Sequence, residues 1–225
     1  MSVAGRHVMI AGATSASGLA AARALIAAGA RVVAVGRDPA KLRELRSTVG
    51  SSALHPAVCD LTDERAVADM KAHVHKTAGP IDGLLHLVGG WRGGGGLAGQ
   101  SDADFRILEG SLTALRHVSR AFDADLRASE AGRLAVVSST AVGRPLAGGA
   151  NYAAIKAATE AWARAAAQGF AKDARDAERE VSAASVIFRV KSLEGLEDDL
   201  ATRFVGLWDA PAELINDTII EIGQP

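Results

Sequence analysis

The sequence predicts a doubly wound α/β fold, in which helices cover both faces of a mostly parallel sheet. Short apolar runs rich in β-branched residues recur along the chain, and longer alanine-rich segments of helical character lie between them. Strands that are apolar throughout are typical of a parallel sheet buried on both faces. Because connections between parallel strands are right-handed, the elements are expected to form three α/β/α layers.

The apolar runs and the alanine-rich segments define the predicted elements. The strands cover His7–Ala11, Arg31–Val35, His55–Cys59, Gly83–Val88, Leu134–Ser138 and Ser182–Phe188. The helices cover Gly18–Ala28, Ala40–Thr48, Glu64–Thr77, Asp102–Leu126, Tyr152–Arg175 and Pro211–Ile220. No composition shift marks a linker, and a length of 225 residues suits one domain over residues 1–225.

Local signals mark three of the helix ends. Asp38 followed by Pro39 is typical of an N-cap with proline at the first helical position. Thr62 is expected to cap the third helix, with acidic residues in the first turn. Gly29 is expected to end the first helix, because a left-handed residue often follows a helix.

The charge balance argues against nucleic acid or an anionic membrane as a partner. The chain has 25 Lys and Arg residues against 26 Asp and Glu, a net charge of −1, so no basic surface is expected. The apolar runs also stop well short of the ~20 residues that a membrane-spanning helix requires. A cytoplasmic location is therefore expected.

Neither a disulfide nor a metal site is predicted. Cys59 is the only cysteine, which excludes an internal disulfide and a CxxC pair, and it is expected to be a buried strand residue. His73 and His75 are two positions apart on a predicted helix. They face different sides of that helix and cannot hold one metal ion between them.

A glycine loop follows the first predicted strand. Gly12 and Gly18 bracket this loop, which leads directly into an alanine-rich helix. Glycines at such a turn let the backbone approach a pyrophosphate, and the helix N-terminus offers unpaired N–H groups. Ala16 stands where a third glycine would complete the fingerprint. The loop alone is therefore weak evidence for a dinucleotide site.

Arg37 follows the second predicted strand, about nineteen residues after the glycine loop. An acidic residue there would bind the ribose hydroxyls of NAD, whereas an arginine suits the extra 2′-phosphate of NADP. An exposed surface cation is the alternative interpretation. With the glycine loop before it, Arg37 favours NADP(H) over NAD(H).

Tyr152 is the only tyrosine of the chain, and its neighbours in the sequence suggest a catalytic role. Lys156 lies four residues later on a predicted helix, so the two side chains share one face. Ser139 comes thirteen residues before Tyr152, at the end of a predicted strand. A neighbouring ammonium lowers the pKa of a tyrosine and so helps it to exchange a proton with a carbonyl or alcohol oxygen, which Ser139 would orient.

Gly89–Gly96 contains six glycines around Trp91 and Arg92. Ordering such a run costs conformational entropy, so a mobile surface loop is expected. In a doubly wound sheet, however, the loops at the carboxyl ends of the strands border the ligand crevice. A lid over the site is the other interpretation of this segment.

Together these motifs resemble the short-chain dehydrogenase/reductase family, and the resemblance covers Val8 to about Ile220. It implies a Rossmann-type fold and a homodimer or homotetramer assembled through the helices over 102–126 and 152–175. It also implies the residues that contact the cofactor: Gly12, Ser15, Ser17, Gly18, Leu19 and Gly89 near its phosphates and nicotinamide, Arg37 at the 2′-phosphate, and Asp60 and Leu61 at the adenine. Tyr152 would exchange the proton, Lys156 would bind the nicotinamide ribose, and Ser139 would orient the substrate.

The chain departs from the family pattern at several positions. Ala11 and Ala16 replace residues of the first motif, and His86-Leu87-Val88 stands where the family has Asn-Asn-Ala. His86 is expected to be a satisfied structural residue rather than a ligand. Ser111 aligns with the catalytic asparagine of the family, and its main-chain carbonyl would keep that residue's role in holding a proton-relay water.

The C-terminal part departs further. Phe188-Arg189 replaces a Pro-Gly pair beside the nicotinamide. Arg189 and Lys191 are interpreted either as contacts to an acidic substrate or the cofactor phosphates, or as a solvated surface pair. The last strand is expected to be missing or reduced to Ile220–Ile222. The sequence therefore predicts a family fold shortened at its C-terminal edge.

The predicted function is hydride transfer between NADP(H) and a small-molecule carbonyl or alcohol, with Tyr152 as proton donor or acceptor. The altered loops keep a second interpretation open, namely a dinucleotide-binding sensor with little or no activity. A purely structural interaction protein is a third and more distant interpretation. The Ser139–Tyr152–Lys156 group favours the enzyme, because a protein that only binds a dinucleotide has less need of Tyr152.

Overall fold

The computed structural model describes residues 2–223, which form one parallel sheet with helices on both faces. The strands are β1 (His7–Ala11), β2 (Arg31–Gly36), β3 (Leu54–Val58), β4 (Gly83–His86), β5 (Arg133–Ser139), β6 (Ala184–Val190) and β7 (Thr218–Glu221). The helices are α1 (Ala16–Ala27), α2 (Pro39–Val49), α3 (Glu64–Thr77), α4 (Asp102–Ala128), α5 (Ala150–Asp176), α6 (Glu197–Gly206) and α7 (Ala212–Ile215). The predicted doubly wound, three-layer fold is confirmed.

The strand order is β3-β2-β1-β4-β5-β6-β7, and each neighbouring pair is parallel. The chain winds outward in one direction from β1 and in the other from β4. The loops that follow these two central strands therefore diverge, and a crevice opens between them at the carboxyl ends of the strands. This topology places the candidate site.

Two main apolar layers hold the helices to the sheet. On one face, α1, α2 and α6 pack through buried residues such as Leu25, Leu42 and Phe204. On the other face, α3, α4 and α5 pack through residues such as Met70 and Phe122. Because both faces of the sheet are covered, its strands are apolar almost throughout, which is the pattern that the sequence shows.

The helix ends agree with the sequence except at one position. Asp38 caps α2, where its carboxylate accepts the amide of Ala40 at 2.8 Å, and Gly29 follows α1 with a φ of +86°. The prediction that Thr62 caps the third helix is wrong. Asp63 caps α3, and the Thr62 hydroxyl instead donates to the Asp60 carboxylate at 2.7 Å.

The prediction of a C-terminal helix is also wrong. The expected helix over Pro211–Ile220 is only the four-residue α7, and β7 follows it and pairs with β6. The side chain of Asn216 separates the two, because it accepts the amide of Ser185 and donates to the carbonyl of Ala167, both at 3.0 Å. The β-branched residues after it then form a last strand of four residues, which overlaps the reduced strand expected over Ile220–Ile222 and begins two residues earlier.

The fourth strand is shorter than expected. The prediction extended it to Val88, whereas β4 ends at His86. Leu87 still donates its amide to the carbonyl of Ala11 at 2.8 Å, but from there the chain turns into the crevice. A run of apolar residues in the sequence does not show where a strand stops pairing with one of its two neighbouring strands.

Arg133 is the most unusual residue of the core, because its side chain is fully buried. The guanidinium donates to four main-chain carbonyls, those of Leu207, Ala210, Gly132 and Ser182, at 2.9 to 3.1 Å. Burial lowers the pKa of Arg133 to about 10. This cation joins the start of β5 to the chain before β6 and after α6.

No helix within residues 2–223 is long and apolar enough to cross a membrane. Over the same residues, no three His, Cys, Asp or Glu side chains are grouped so that they could hold a metal ion. His75 is engaged elsewhere, with its Nε2 at 2.8 Å from the Asp125 carboxylate.

Candidate active site

Two adjoining cavities form a groove along the carboxyl edge of the sheet. The larger has a volume of about 1050 Å³ and lies over β4, β5 and the start of α5. The smaller, about 340 Å³, lies over the ends of β2 and β3. Ser15 and the segment Leu87–Gly89 line both cavities. One elongated ligand can therefore extend from one cavity into the other.

The glycine loop packs tightly against itself and against the chain after β4, between the two cavities. Gly12 has a φ of +87°, and a Cβ at this position would lie 2.9 Å from the amide nitrogen of Val88. A Cβ on Gly18 would lie 2.2 Å from the carbonyl oxygen of Ala13. Ser15 caps α1 and accepts the amide of Gly18 at 3.1 Å. The glycines thus serve close packing of the chain, which brings the N-terminus of α1 to the groove.

The remaining residues expected at the phosphates lie in or next to this loop. Ser17 is buried on the first turn of α1 and lines the larger cavity, and Leu19, two residues later, is half-buried. Gly89 lies where the two cavities meet. A Cβ on Gly89 would lie 3.7 Å from the Lys156 Nζ, so the glycine leaves space beside the lysine.

The smaller cavity carries the charges expected at an adenosine. Arg37 is exposed at its rim, and Asp60 and Leu61 line it. Two hydrogen bonds from Thr62, and more weakly the charge of Arg37, lower the pKa of Asp60. Cys59 is buried beneath them, and burial raises the pKa of its thiol to about 11, so it is an unreactive residue.

The larger cavity brings Ser139, Tyr152 and Lys156 together. Ser139 is the last residue of β5, and the other two residues lie on the first two turns of α5. The Lys156 ammonium donates to the carbonyl of Val137 at 2.7 Å and lies 5.8 Å from the centre of the Tyr152 ring. The structure therefore brings together the three residues that the spacing in the sequence grouped.

Burial has opposite effects on the pKa values of the tyrosine and the lysine. It raises the pKa of Tyr152, and a hydrogen bond with the Ser139 hydroxyl offsets part of that rise. Burial lowers the pKa of Lys156 to about 8. At neutral pH the site therefore holds a protonated phenol beside an ammonium that is close to losing its proton.

Ser111 lies on α4, opposite these residues, and meets His86 at the end of β4. The Ser111 hydroxyl donates to the carbonyl of Leu108 at 2.6 Å, and the Ser111 carbonyl lies 3.1 Å from the His86 Nε2. His86 is buried, and its Nδ1 has no hydrogen-bond partner among the described residues. The expectation of a satisfied histidine therefore holds for one ring nitrogen only.

Both interpretations of Arg189 are wrong. Its guanidinium binds the Glu160 carboxylate with two nitrogens, at 2.8 to 3.1 Å, and Ser138 donates to the same carboxylate at 2.6 Å. Glu160 is buried, so the pair joins β6 and β5 to α5 rather than meeting solvent or a ligand. Lys191, by contrast, is exposed and lines the larger cavity.

The glycine-rich segment packs against the chain that precedes α5. The Gln100 side chain donates to the carbonyls of Gly94, Gly96 and Gly148 at 3.0 to 3.2 Å, and its oxygen accepts the amide of Asn151 at 3.1 Å. Residues 89–91 and Gly94 line the larger cavity. The segment therefore covers one side of the cavity, in the position expected of a lid.

Sequence reasoning missed two of these residues. Gln100 carries no motif signal, because its partners are backbone carbonyls of glycines that come close only in the folded chain. Glu160 did carry a signal, since it lies four residues after Lys156 and so on the same side of α5. A charged residue in that position of an apolar helix face indicates a buried partner.

Comparison with models of protein families shows which family the chain belongs to. The model of the family described as short chain dehydrogenase matches residues 6–174, which is most of the chain. The chain belongs to this family. The match covers the glycine loop, the end of β5 and the Tyr152–Lys156 pair, so the resemblance inferred from the sequence is confirmed.

Individual relatives are distant. Over 157 residues the chain is 30% identical to a 2,3-dihydro-2,3-dihydroxybenzoate dehydrogenase of Bacillus subtilis, a match that spans 68% of this chain and 60% of the relative. A gluconate 5-dehydrogenase of Gluconobacter oxydans is 36% identical over 90 residues, 39% of this chain and 35% of that protein. The chain thus matches less than two thirds of the length of these relatives.

Solved structures agree with the fold over nearly the whole chain. A metagenomic short-chain oxidoreductase in complex with NADP has a TM-score of 0.83 and 25% identity, with 97% of each chain covered. An NADPH-bound short-chain oxidoreductase of Pseudomonas aeruginosa, described as having an atypical catalytic center, has a TM-score of 0.81 and 20% identity, with 96% and 95% covered.

The residues of the groove fit a nicotinamide dinucleotide. The groove is open along its length, and the N-terminus of α1, which can bind a phosphate, lies where its two cavities meet. The exposed Arg37 lies at one end and Lys156 at the other. These are the positions of the 2′-phosphate and the nicotinamide ribose in the family-based expectation.

Proposed function

We propose that this protein is an NADP(H)-dependent oxidoreductase that interconverts a small carbonyl compound and its alcohol. The observation that carries the proposal is the meeting of Ser139, Tyr152 and Lys156 in the larger cavity. A hydroxyl, a protonated phenol and an ammonium together can orient a carbonyl oxygen and protonate it as negative charge develops.

The cofactor would be held along the groove. The N-terminus of α1 with Ser15 and Ser17 would bind the phosphates, Asp60 and Leu61 would border the adenine, and Arg37 would pair with the 2′-phosphate. Lys156 would bind the nicotinamide ribose. When bound, the nicotinamide supplies or accepts the hydride. The NADP-bound and NADPH-bound relatives support this choice of cofactor.

In the direction of reduction, Tyr152 donates the proton. Because burial raises its pKa, the phenol keeps its proton at neutral pH and can give it to the carbonyl oxygen. The Lys156 ammonium stabilises the tyrosinate that remains, and the Ser139 hydroxyl holds the oxygen in line. In the direction of oxidation the same tyrosine would have to start ionised, which favours alkaline conditions.

The larger cavity also suggests which compounds to try first. Trp91, Leu146 and Leu193 give it apolar walls, and Arg144 and Lys191 add two cations. An apolar ketone or aldehyde that also carries a carboxylate would match both features. Neutral compounds of the same size make the natural comparison.

The decisive experiment combines cofactor binding with a screen of carbonyl compounds. NADPH and NADH are titrated by fluorescence, and turnover is then followed for the wild type and Tyr152→Phe on paired anionic and neutral ketones. We expect tighter binding of NADPH, and a loss of turnover of about 10²- to 10⁴-fold in Tyr152→Phe with unchanged NADPH affinity. Tight NADPH binding without turnover on any compound would favour the sensor interpretation.

The assembly is part of the same proposal. We expect a homodimer or homotetramer through α4 and α5, because Ala157, Ala161 and Ala165 form an exposed row on α5 that permits close helix packing. Light scattering measures the assembly directly. Replacing Ala161 by Arg should dissociate it, and a wild-type protein that is monomeric at micromolar concentration would contradict the expectation.

A further inference from the structure

We propose that His86 is a positioning residue that acts through Lys156. Its unprotonated Nδ1 accepts a hydrogen bond from the lysine ammonium. The inference rests on the proposed function only for the role of Lys156. It is carried by the contacts of the two ring nitrogens, by the burial of the ring and by the place of His86 beside the lysine.

The contact of Nε2 determines the tautomer. The Ser111 carbonyl, 3.1 Å from Nε2, can only accept a hydrogen bond, so Nε2 must carry a hydrogen. Burial, and to a smaller extent the nearby charge of Lys156, lower the pKa of His86 to about 3. The ring is therefore neutral at physiological pH, and Nδ1 is a lone-pair acceptor.

That acceptor has no partner among the described residues although His86 is only 4% exposed. An unpaired polar atom in such a place carries the full cost of its desolvation, so a buried acceptor without a donor needs an explanation. A hydrogen-bond donor that arrives with a small side-chain movement removes this cost.

Lys156 is the ionisable group that meets this requirement. His86 and Val136 are partners in the pairing of β4 with β5, and the next residue, Val137, holds the Lys156 ammonium at 2.7 Å. One of the three ammonium hydrogens is used there, so two remain. Both side chains line the larger cavity, and the charge of Lys156 lies close enough to His86 to lower the pKa of the imidazole.

The result would be a chain of hydrogen bonds across the layer between the sheet and α4. The Ser111 carbonyl orients the imidazole, and the imidazole presents its lone pair to the ammonium. A neutral acceptor favours the charged lysine, whereas an apolar residue in its place would leave desolvation unopposed. His86 would thus oppose the effect of burial, which lowers the pKa of Lys156, and would hold the ammonium in one position.

Other charges around the ammonium do not perform this task. Tyr152 lies on the same helix and is protonated at neutral pH, because burial raises its pKa. One turn further along α5, the Glu160 carboxylate is already neutralised by Arg189. Lys191, from the segment after β6, lines the cavity and would only oppose a second cation.

A purely structural role for His86, a tie between β4 and α4, is the competing explanation, and two substitutions separate it from the proposal. In His86→Gln, the amide nitrogen occupies the position of Nε2 and keeps the donor to Ser111 but not the acceptor. In His86→Asn, the shorter amide places a polar atom at the position of Nδ1 and gives up the contact with Ser111. The two variants therefore remove one nitrogen each.

The first test follows the Lys156 side chain by NMR in cofactor-free protein that is labelled with ¹³C at the lysine ε-carbons, with Lys156→Arg to assign the signal. We expect the titration midpoint of Lys156 to fall by about one pH unit in His86→Gln, a tenfold change in its protonation equilibrium, and to stay near the wild type in His86→Asn. Equal midpoints in all three proteins, or a shift in His86→Asn alone, would overturn the proposal.

The second test needs no substitution. In wild-type protein labelled with ¹⁵N-histidine, we expect His86 as the neutral tautomer with its hydrogen on Nε2 from pH 6 to 9, and a hydrogen on Nδ1 would overturn the proposal. Neither test uses turnover or cofactor. A protein that reduces no carbonyl would contradict the proposed function and leave both measurements interpretable.

Discussion

At the scale of single residues, desolvation sets the state of the candidate site. It disfavours whichever form carries charge, so it raises the pKa of Tyr152 and lowers that of Lys156 to about 8. A tyrosine that keeps its proton is suited to protonating a carbonyl. A lysine that loses its proton just above neutrality sets an upper limit to the useful pH.

The first prediction concerns this limit. The pKa of Lys156 in the folded protein is about 8, below the 10.5 of an exposed lysine, so the ammonium is present below pH 8 and lost above it. With NADPH saturating, the rate of carbonyl reduction should be level from pH 6 to 7 and fall about tenfold by pH 9. Lys156→Arg, which keeps its charge, should show no such decline; a level wild-type profile up to pH 9.5 would contradict the assignment.

The second prediction concerns Arg37, which is exposed at the rim of the smaller cavity. Arg37→Ala should weaken NADPH binding by about 10- to 100-fold, because a charge-assisted hydrogen bond contributes about 1.5–3 kcal/mol. The affinity for NADH, which lacks the 2′-phosphate, should stay within twofold. Arg43→Ala, which removes an exposed arginine of α2 outside both cavities, is the matched control for fluorescence titration.

At the scale of elements, the site is built from the ends of strands and the beginnings of helices. β5 ends at Ser139, α5 begins two residues before Tyr152, and the ion pair of Glu160 and Arg189 holds α5 against β6. Removing one partner of such a pair would leave a charge largely buried, so the pair keeps the helix in one position. The glycine-rich segment of the rim is held by the Gln100 side chain, which donates to three of the nearby carbonyls.

The third prediction concerns that side chain. Gln100→Ala removes the donor to three carbonyls and the acceptor for Asn151, so the segment over residues 89–100 should open more often. Amide exchange of its glycines should accelerate about tenfold or more, while the melting temperature changes little because the segment has little buried apolar area. Gln168→Ala on α5 is the control, and unchanged exchange at Gly94–Gly99 would show that other contacts hold the segment.

At the scale of the whole molecule, the end of the sheet opposite the site is fastened around Arg133. The guanidinium gathers carbonyls from before β5, before β6 and after α6, beside the buried ring of Trp208. The Trp208 indole also donates to the carbonyl of Ala131 at 2.9 Å. The elements that carry the site are thus joined far from it.

The fourth prediction tests this junction. Arg133→Leu leaves several buried carbonyls unpaired and should lower the free energy of unfolding by about 3–5 kcal/mol in urea denaturation. Arg133→Lys keeps the charge but fewer donors, so we expect an intermediate loss. Arg175→Leu, an exposed change on α5, should cost less than about 0.5 kcal/mol, and an equally small loss in Arg133→Leu would show that the carbonyls find other donors.

Local patterns determined the order of the elements, the capping by Asp38, and the presence of Ser139, Tyr152 and Lys156 at one edge of the sheet. These follow from hydrophobic periodicity and short spacings, which act within one element or between neighbouring elements. The misplaced cap at Thr62 and the helix expected over Pro211–Ile220 show the limit. In both places side-chain hydrogen bonds, to Asp60 and from Asn216, decided between conformations that the local sequence permits.

Only the tertiary structure decided the roles of residues whose partners are distant in the chain. Arg189 became the partner of Glu160 instead of a ligand contact, and Gln100 fastened the glycine-rich segment. His86 contacts Ser111 with one ring nitrogen, and the other has no partner within residues 2–223. The sequence determined which chemistry is available at the carboxyl edge of the sheet. Burial and long-range hydrogen bonds, which exist only once β4, α4 and α5 are packed together, decided which protonation states that chemistry starts from.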